Sequence, residues 1–272
     1  MSERTIYDRD GFVMRRGLLA PHTVARLIGI GERVHGQWMH EHAAEARKRD
    51  LINSTGLTAT RYFRPPFDNE RSIFFDALAD AALWDILKAL FGDELYFHGT
   101  QMFFNPLEER GRPYWHRDLQ YIGCDETRQQ ELLGELCNLH VRIPLRPERS
   151  FMLVPGSHAR WDTDLERDIR LERSGHRSCE DLPSAMMLEL YPGDVLIFSA
   201  HMLHRGTYQG NSGRLSLDLM LGKPHPQMPL TLEVGELPTA DELGRLRHPQ
   251  WFVRAEKLLR ESRATEHHRF QR

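Results

Sequence analysis

The chain has 272 residues, of which 40% are hydrophobic, and its 36 basic and 39 acidic side chains give a net charge of −3. This balance argues against non-specific binding to nucleic acid, which requires a basic surface. The three cysteines show no zinc-type spacing, and no apolar run approaches the roughly 20 residues that span a bilayer. We therefore expect a cytoplasmic protein with no membrane or nucleic-acid partner, in an oligomeric state that the sequence does not set.

The first third of the chain, residues 1–94, has mainly helical patterns. Residues 11–19 are typical of a short strand, and a helical pattern then runs from Pro21 until it fades near Ala44. Residues 48–67 are predicted to form a long loop. Residues 69–91 are predicted to form one helix that stops at Gly92.

Short β-rich runs dominate residues 95–222. Seven such runs, separated by glycine, proline and polar turns, predict a sandwich or barrel. One possible helix at 126–136 and a charged surface insertion at 161–183 interrupt them, and a helical extension occupies 223–272. We predict a single domain, 1–272, with a mainly β core and flanking helices.

The triplet His116-Arg117-Asp118 carries the strongest chemical signal. Side chains alternate along a strand, so a strand here would place His116 and Asp118 on one face. A distant histidine would complete a two-His-one-carboxylate face, the arrangement of non-haem Fe(II) oxygenases. A kinase catalytic loop also contains His-Arg-Asp, followed five residues after the Asp by a magnesium-binding Asn. Here that position is Gly123, so we reject the kinase interpretation.

Two histidines compete for the third ligand position. His201 and His204 both follow the predicted buried strand 195–198. A polar turn at 209–213 then returns the chain to Arg214, ten residues after His204. An arginine near the metal suits a dicarboxylate co-substrate, because its planar fork matches a carboxylate and Ser216 on the same face adds a hydroxyl. This spacing favours His204.

Several motifs in this order resemble the phytanoyl-CoA dioxygenase-like family of Fe(II)/2-oxoglutarate oxygenases. They are WHRD, VPGSHARW, YPGD-VLIF, HMLHRG and RLS, within a resemblance that covers roughly residues 7–222. The resemblance implies a double-stranded β-helix, or jelly-roll, core. It implies Fe(II), 2-oxoglutarate and O2 as cofactor and co-substrates, with iron bound by His116, Asp118 and His204.

The same resemblance suggests where the co-substrate binds. Arg214 would pair with the far carboxylate of 2-oxoglutarate, helped by Ser216. Gln101 and Asn105 match polar positions that lie beside the co-substrate in relatives. Gln101 and Asn105 are four residues apart and would share a strand face, although buried amides also satisfy backbone groups.

The chain departs from the family in two places. Glu148-Arg149-Ser150 replaces a frequent Asn-Gly turn, which we expect to alter a turn and nothing catalytic. The acidic, glycine-rich signature that follows the His-x-Asp pair in ectoine hydroxylases is absent, so ectoine is not the expected substrate. Asp118 is retained, whereas related halogenases carry a small residue there, and this disfavours halogenation.

Other positions leave alternatives open. His140 and Arg142 alternate on one strand and point either into the barrel or to solvent. His158 is expected to brace a turn. An anionic substrate is one option, suggested by a set of arginines that are more typical of a solvated surface: Arg61, Arg64, Arg112, Arg142 and Arg146.

We predict a hydroxylase that acts on a small metabolite and releases succinate and CO2. The same site could instead desaturate, epoxidise or close a ring. From other classes, the alternatives are a non-catalytic, regulatory β-helix protein that binds a metal, and a zinc hydrolase using the same three ligands. The hydrolase leaves Arg214 without a role.

Overall fold

The computed structural model describes residues 1–108, 112–207, 213–228, 230–232 and 235–269. The helices are α1 (Glu3–Asp10), α2 (Pro21–Arg49), α3 (Asp68–Leu78), α4 (Ala81–Phe91), α5 (Glu126–Leu132), α6 (Asp164–Arg170), α7 (Ala240–Leu243) and α8 (Gln250–Arg269). The strands are β1 (Phe12–Arg15), β2 (Asn53–Thr55), β3 (Tyr96–Phe104), β4 (Asn138–Pro144), β5 (Glu148–Leu153), β6 (Met186–Leu190), β7 (Val195–Ser199), β8 (His204–Gly206) and β9 (Leu215–Gly222).

The strands form two antiparallel sheets. The larger has the order β1-β7-β4-β9-β3-β2, and the smaller has the order β6-β5-β8. Alternation along β9 separates the two faces of the large sheet. Leu217 and Leu219 belong to the hydrophobic core shared with the helices, whereas Ser216 and Asp218 are buried polar residues of the opposite face.

Helices cover the outer face of the large sheet. Phe97 of β3 packs against Phe252 of α8 with ring centroids 5.1 Å apart. On the other face, Phe151 of the small sheet packs against Phe198 of the large sheet at 4.9 Å. The cavity described below opens between these two facing sheets.

The helical third contains breaks that the hydrophobic pattern does not reveal. Residues 69–91, predicted as one helix, form α3 and α4 instead. Asp80 causes the break, because its carboxylate accepts hydrogen bonds from the backbone N–H of Ala82 and from the hydroxyl of Thr23. The predicted loop 48–67 contains the short strand β2, and α2 continues past Ala44 to Arg49.

Two further expectations in the β core are corrected. Residues 114–121 form no strand: His116 makes one isolated bridge, and Asp118 begins a 3₁₀ turn. The insertion 161–183 is not wholly superficial, because Ile169 and Leu182 are buried in a cluster with Trp115. Most of the predicted polar turn at 209–213, residues 209–212, lies outside the described residues. No helix in the described ranges is both long and apolar enough to cross a membrane.

Candidate active site

Backbone pairing brings the two ends of the predicted ligand set together. His116 and His204 exchange both backbone hydrogen bonds, at 3.1 and 3.0 Å, in the isolated bridge that joins the HRD segment to β8. The N–H of Asp118 donates to the carbonyl of Ala200 at 3.0 Å. These three bonds, rather than a continuous strand, place all three side chains on one side.

The ligand atoms of His116, Asp118 and His204 all lie within 4.8 Å of one another. Oδ1 of Asp118 lies 3.7 Å from Nε2 of each histidine. Two imidazoles and one carboxylate in this proximity suit a divalent transition metal. No other group of three such residues in the described ranges meets this criterion.

Hydrogen bonds to backbone carbonyls orient the imidazoles of His116 and His204. Nδ1 of His116 lies 3.2 Å from the carbonyl of Tyr114, and Nδ1 of His204 lies 2.9 Å from the carbonyl of Met202. A carbonyl only accepts, so Nδ1 carries the proton and the lone pair of Nε2 faces the cluster. Burial lowers the pKa of His116 and brings that of His204 to about 3, which keeps both in the neutral form that binds metals.

A buried charge network supports the carboxylate. Burial alone would raise the pKa of Asp118, but the hydrogen bond and the positive charge of His140 hold it well below its usual range. The two ring nitrogens of His140 lie 2.9 Å from Oδ2 of Asp118 and 2.9 Å from Oδ2 of Asp218. Both partners only accept, so both nitrogens donate. Against the effect of burial, these bonds raise the pKa of His140 to about 9.

The structure answers the question of which way β4 faces. Both His140 and Arg142 point into the cavity between the sheets. Arg142 is itself neutralised, since its Nε and Nη2 donate to the two oxygens of Asp218 at 2.8 and 3.0 Å. The supporting role of His140 was not recognised from the sequence, where its pairing with Asp118 and Asp218 has no local signature.

Arg117, the middle residue of the HRD triplet, is a structural anchor that the sequence motif alone does not reveal. Arg117 is fully buried and forms an ion pair with Asp162, Nε to Oδ1, at 2.8 Å. Its Nη1 donates to the carbonyls of Ser157 and His201, both at 2.6 Å. One guanidinium thus ties the segment between two ligand candidates to the loops that flank it.

The cavity has a volume of about 320 Å³ and holds the cluster in its wall. The described residues that line it are Ile52, Asn53, Gln101, Phe103, Pro113, Tyr114, His116, Asp118, Tyr121, His140, Arg142, Phe151, His204, Gly206 and Arg214. Tyr114 and Tyr121 are 40% and 58% exposed, and their hydroxyls lie 2.8 Å apart. An aromatic pair therefore forms the more exposed part of a cavity whose lining is both polar and apolar.

The predicted co-substrate residues divide into two groups. Arg214 and Gln101 line the cavity. Asn105 follows the end of β3 and is not among the described lining residues. Ser216 is fully buried, and its hydroxyl donates to Oε2 of Glu148 at 2.5 Å. The contact with Glu148 is unexpected, since this residue was assigned to a turn alone.

Neither His201 nor His158 belongs to this cluster. His201 is buried outside the three-residue cluster, beside a second cavity of about 90 Å³, and burial lowers its pKa to about 4. His158 lies in the 3₁₀ turn Ser157–Ala159 against Tyr7, with ring centroids 5.8 Å apart. The latter position suits the turn-bracing role expected from the sequence.

Comparison with known proteins identifies one family. The model of the phytanoyl-CoA dioxygenase (PhyH) family matches residues 7–214. The ectoine dioxygenase of Sphingopyxis alaskensis is 23% identical over 264 residues, which cover 81% of this chain and 79% of that protein. The ectoine dioxygenase of Bordetella bronchiseptica is 24% identical over 164 residues, but only 57% of this chain and 48% of that protein are covered.

A solved structure supports the fold. EctD from S. alaskensis, determined with 2-oxoglutarate and 5-hydroxyectoine, gives a TM-score of 0.55 at 18% identity, over 93% of this chain and 83% of that one. The likeness confirms the predicted mainly β fold of the double-stranded β-helix type, with flanking helices.

Proposed function

Because the chain belongs to the phytanoyl-CoA dioxygenase (PhyH) family, we propose that it is an Fe(II)- and 2-oxoglutarate-dependent oxygenase that hydroxylates a small molecule. Family membership agrees with the resemblance in the sequence motifs. Both indicate the same enzyme class, a dioxygenase that uses Fe(II), 2-oxoglutarate and O2. One observation carries the proposal for this chain: His116, Asp118 and His204 converge in the wall of a cavity that Arg214 also lines. We take residues 1–272 as one catalytic domain.

Each residue has a defined part in this proposal. His116, Asp118 and His204 fit a metal ion, because the Nε2 lone pairs of the histidines and one carboxylate oxygen face one another. Arg214 supplies the cation for the far carboxylate of 2-oxoglutarate, and Gln101 adds a polar group to the cavity wall. When bound, Fe(II) with 2-oxoglutarate and O2 supplies the oxidising chemistry, and succinate and CO2 are released.

The protein contributes orientation and a shielded cavity. His140 and Arg117 hold the HRD segment from two sides. The aromatic rings of Phe103 and Phe151 lie over the guanidinium of Arg142 at 4.6 and 4.3 Å, which excludes water from that end. Charges fixed in such an enclosed place act more strongly than they would in water.

The substrate is proposed to be a small molecule. Of the five arginines that suggested an anionic substrate, only Arg142 lines the cavity, and Asp218 already binds it. Arg146 forms its ion pair with Glu32 near the surface. A ligand in the cavity would thus contact the aromatic side chains of Tyr114 and Tyr121 rather than an arginine of this set that is free to bind it. We propose that ectoine is not the substrate, because the acidic, glycine-rich signature of ectoine hydroxylases is absent after Asp118.

The test of this proposal is 2-oxoglutarate turnover. Purified protein with Fe(II), O2 and 2-oxoglutarate should release succinate, and release should increase when a candidate substrate is added. Omission of Fe(II), or the variant His204→Ala, should abolish it. Metal-dependent hydrolysis of an ester or amide without succinate release would instead support the zinc hydrolase.

A further inference from the structure

Glu148 replaces a frequent family turn and yet lies behind the proposed co-substrate site. It is the first residue of β5 and is completely buried. A buried carboxylate is costly unless cations or hydrogen-bond donors compensate for it. The identity of those partners therefore indicates what Glu148 does.

Its partners are the two residues predicted to hold the far carboxylate of 2-oxoglutarate. Oε1 of Glu148 lies 2.8 Å from Nε of Arg214, and Oε2 accepts the hydroxyl hydrogen bond of Ser216 at 2.5 Å. Nη1 of Arg142 lies 3.7 Å from the same Oε1. The chain itself thus supplies a carboxylate to the groups that would otherwise receive one from the co-substrate.

One edge of the Arg214 guanidinium still reaches the cavity. Its Nη1 and Nη2 lie against Gly206, which is part of the cavity lining. A guanidinium has donors on both edges, so Nε can remain with Glu148 while the Nη atoms bind a ligand. The hydroxyl of Ser216 is not available in the same way, because its hydrogen is already donated.

The charges of this region are balanced before any ligand enters. Arg142 is paired with Asp218, and Arg214 is paired with Glu148. A second carboxylate brought to Arg214 would be repelled by Glu148, because like charges a few ångströms apart in a shielded site interact strongly. This repulsion opposes the binding of any dicarboxylate at Arg214.

We propose that Glu148 is a resident carboxylate that sets a low affinity for 2-oxoglutarate, by retaining Ser216 and by neutralising Arg214. The inference rests on the proposed function and adds a residue that regulates the co-substrate site. Its consequence is that turnover responds to the concentration of 2-oxoglutarate over a higher range than it would without this carboxylate.

The direct test is calorimetric titration of 2-oxoglutarate into the Fe(II)-loaded protein without O2. Glu148→Gln keeps the shape and an acceptor but removes the charge, so Kd should fall about tenfold, equivalent to ~1.4 kcal/mol. Glu242→Gln is the matched control, since Glu242 also pairs with a buried arginine, Arg71, but lies outside the cavity lining. Its Kd should equal that of the unchanged protein.

An equal or higher Kd in Glu148→Gln would overturn the inference while leaving the proposed function intact. Absence of 2-oxoglutarate binding in both the unchanged protein and Glu148→Gln would overturn the proposed function and the inference with it. The two failures are therefore distinguishable in one series of titrations.

A second measurement needs no variant. 2-Oxobutanoate is 2-oxoglutarate without the far carboxyl group, so the ratio of the two Kd values measures what that group contributes. Because Glu148 already neutralises Arg214, we expect 2-oxobutanoate to bind no more than about tenfold more weakly than 2-oxoglutarate. A desolvated pair of opposite charges commonly contributes more than this to binding affinity. A larger ratio would overturn the inference.

Discussion

Arg117 and Asp162 form a fully buried ion pair, with Nε of the arginine 2.8 Å from Oδ1 of the aspartate. Arg117 stands between two of the proposed metal ligands in sequence, and Asp162 belongs to the insertion that follows β5. Arg170 of α6 binds the other oxygen of Asp162 at 2.7 Å. The insertion is thereby fastened to the segment that carries His116 and Asp118.

Replacement of Arg117 should decrease both the stability of the fold and the affinity for Fe(II). Arg117→Lys cannot reproduce the bonds to Asp162 and to the carbonyls of Ser157 and His201, so we expect a decrease of about 2 kcal/mol or more in the free energy of unfolding. Fe(II) affinity should fall as well, because the HRD segment loses its orientation. Urea denaturation of the metal-free protein and equilibrium dialysis of Fe(II) would measure the two effects.

Arg128→Lys is the control for this prediction. Arg128 pairs with Glu131 at the surface, where an ion pair contributes about 0–1 kcal/mol. If Arg117→Lys were as stable as this control and bound Fe(II) equally well, the anchoring role would be wrong.

The two histidines that follow β7 should behave differently. His204→Ala removes an Nε2 that lies 3.7 Å from Oδ1 of Asp118, so Fe(II) binding should be lost. His201→Ala should retain most of the binding, because His201 lies outside the cluster. Equilibrium dialysis at neutral pH would decide, and the opposite result would reassign the third ligand.

Gly206 should matter for the co-substrate but not for the metal. A Cβ at this position would lie 2.8 Å from Nη1 and 3.1 Å from Nη2 of Arg214, so the guanidinium must shift in Gly206→Ala. We expect the Kd for 2-oxoglutarate to rise by up to about tenfold, or ~1.4 kcal/mol, because the displaced guanidinium loses its charged hydrogen bonds to the far carboxylate. Calorimetry would measure this, with Fe(II) affinity checked in the same samples.

Gly29→Ala serves as its matched control, since a Cβ on that residue of α2 meets nothing within 4 Å. An unchanged Kd in both variants would show that Arg214 does not hold the co-substrate through its Nη atoms.

His35 predicts a specific dependence of stability on pH. Burial, with a smaller effect of the nearby Arg146 guanidinium, lowers its pKa to about 4, although Glu32 acts in the opposite direction. Between the ordinary value of 6.5 and about 4, the unfolded chain binds a proton that the folded chain does not. The contribution of His35 is therefore complete above pH 6.5 and is lost as the pH falls towards 4.

His35→Gln should reduce this dependence. Urea denaturation of the metal-free protein at pH 7 and pH 5 should show a smaller loss of stability in the variant than in the unchanged protein. His22→Gln, at an exposed position of the same helix, is the control and should retain the full loss. Equal losses in His35→Gln and His22→Gln would contradict the assignment.

The sequence predicted the class of site better than the local structure that forms it. The ligand pattern was recognisable because residue types and order alone narrow the chemistry. The predicted strand around His116 was wrong, since the geometry comes from a single bridge to His204, distant in sequence. Similarly, the break at Asp80 depends on a side-chain cap and on Thr23, which a hydrophobic pattern does not report.

The supporting residues could not be assigned because their partners are remote in sequence. The inward direction of His140 follows from the register that pairs β4 with β7 and β9. Glu148 was interpreted as part of a turn, and only the approach of β9 shows that it reaches Arg214 and Ser216. Alternation along a strand gives two faces, but not which of them is buried.

The most direct test of the proposed function is spectroscopic. Metal-free protein is mixed with Fe(II) and then with 2-oxoglutarate in the absence of O2, and the visible charge-transfer band of the chelated complex is recorded. If His116, Asp118 and His204 bind Fe(II) beside Arg214, we expect a band for the unchanged protein, none for His204→Ala and a band that needs more 2-oxoglutarate for Arg214→Ala. Metal binding without any band would contradict it, and would favour a zinc hydrolase or a non-catalytic metal-binding protein with this fold.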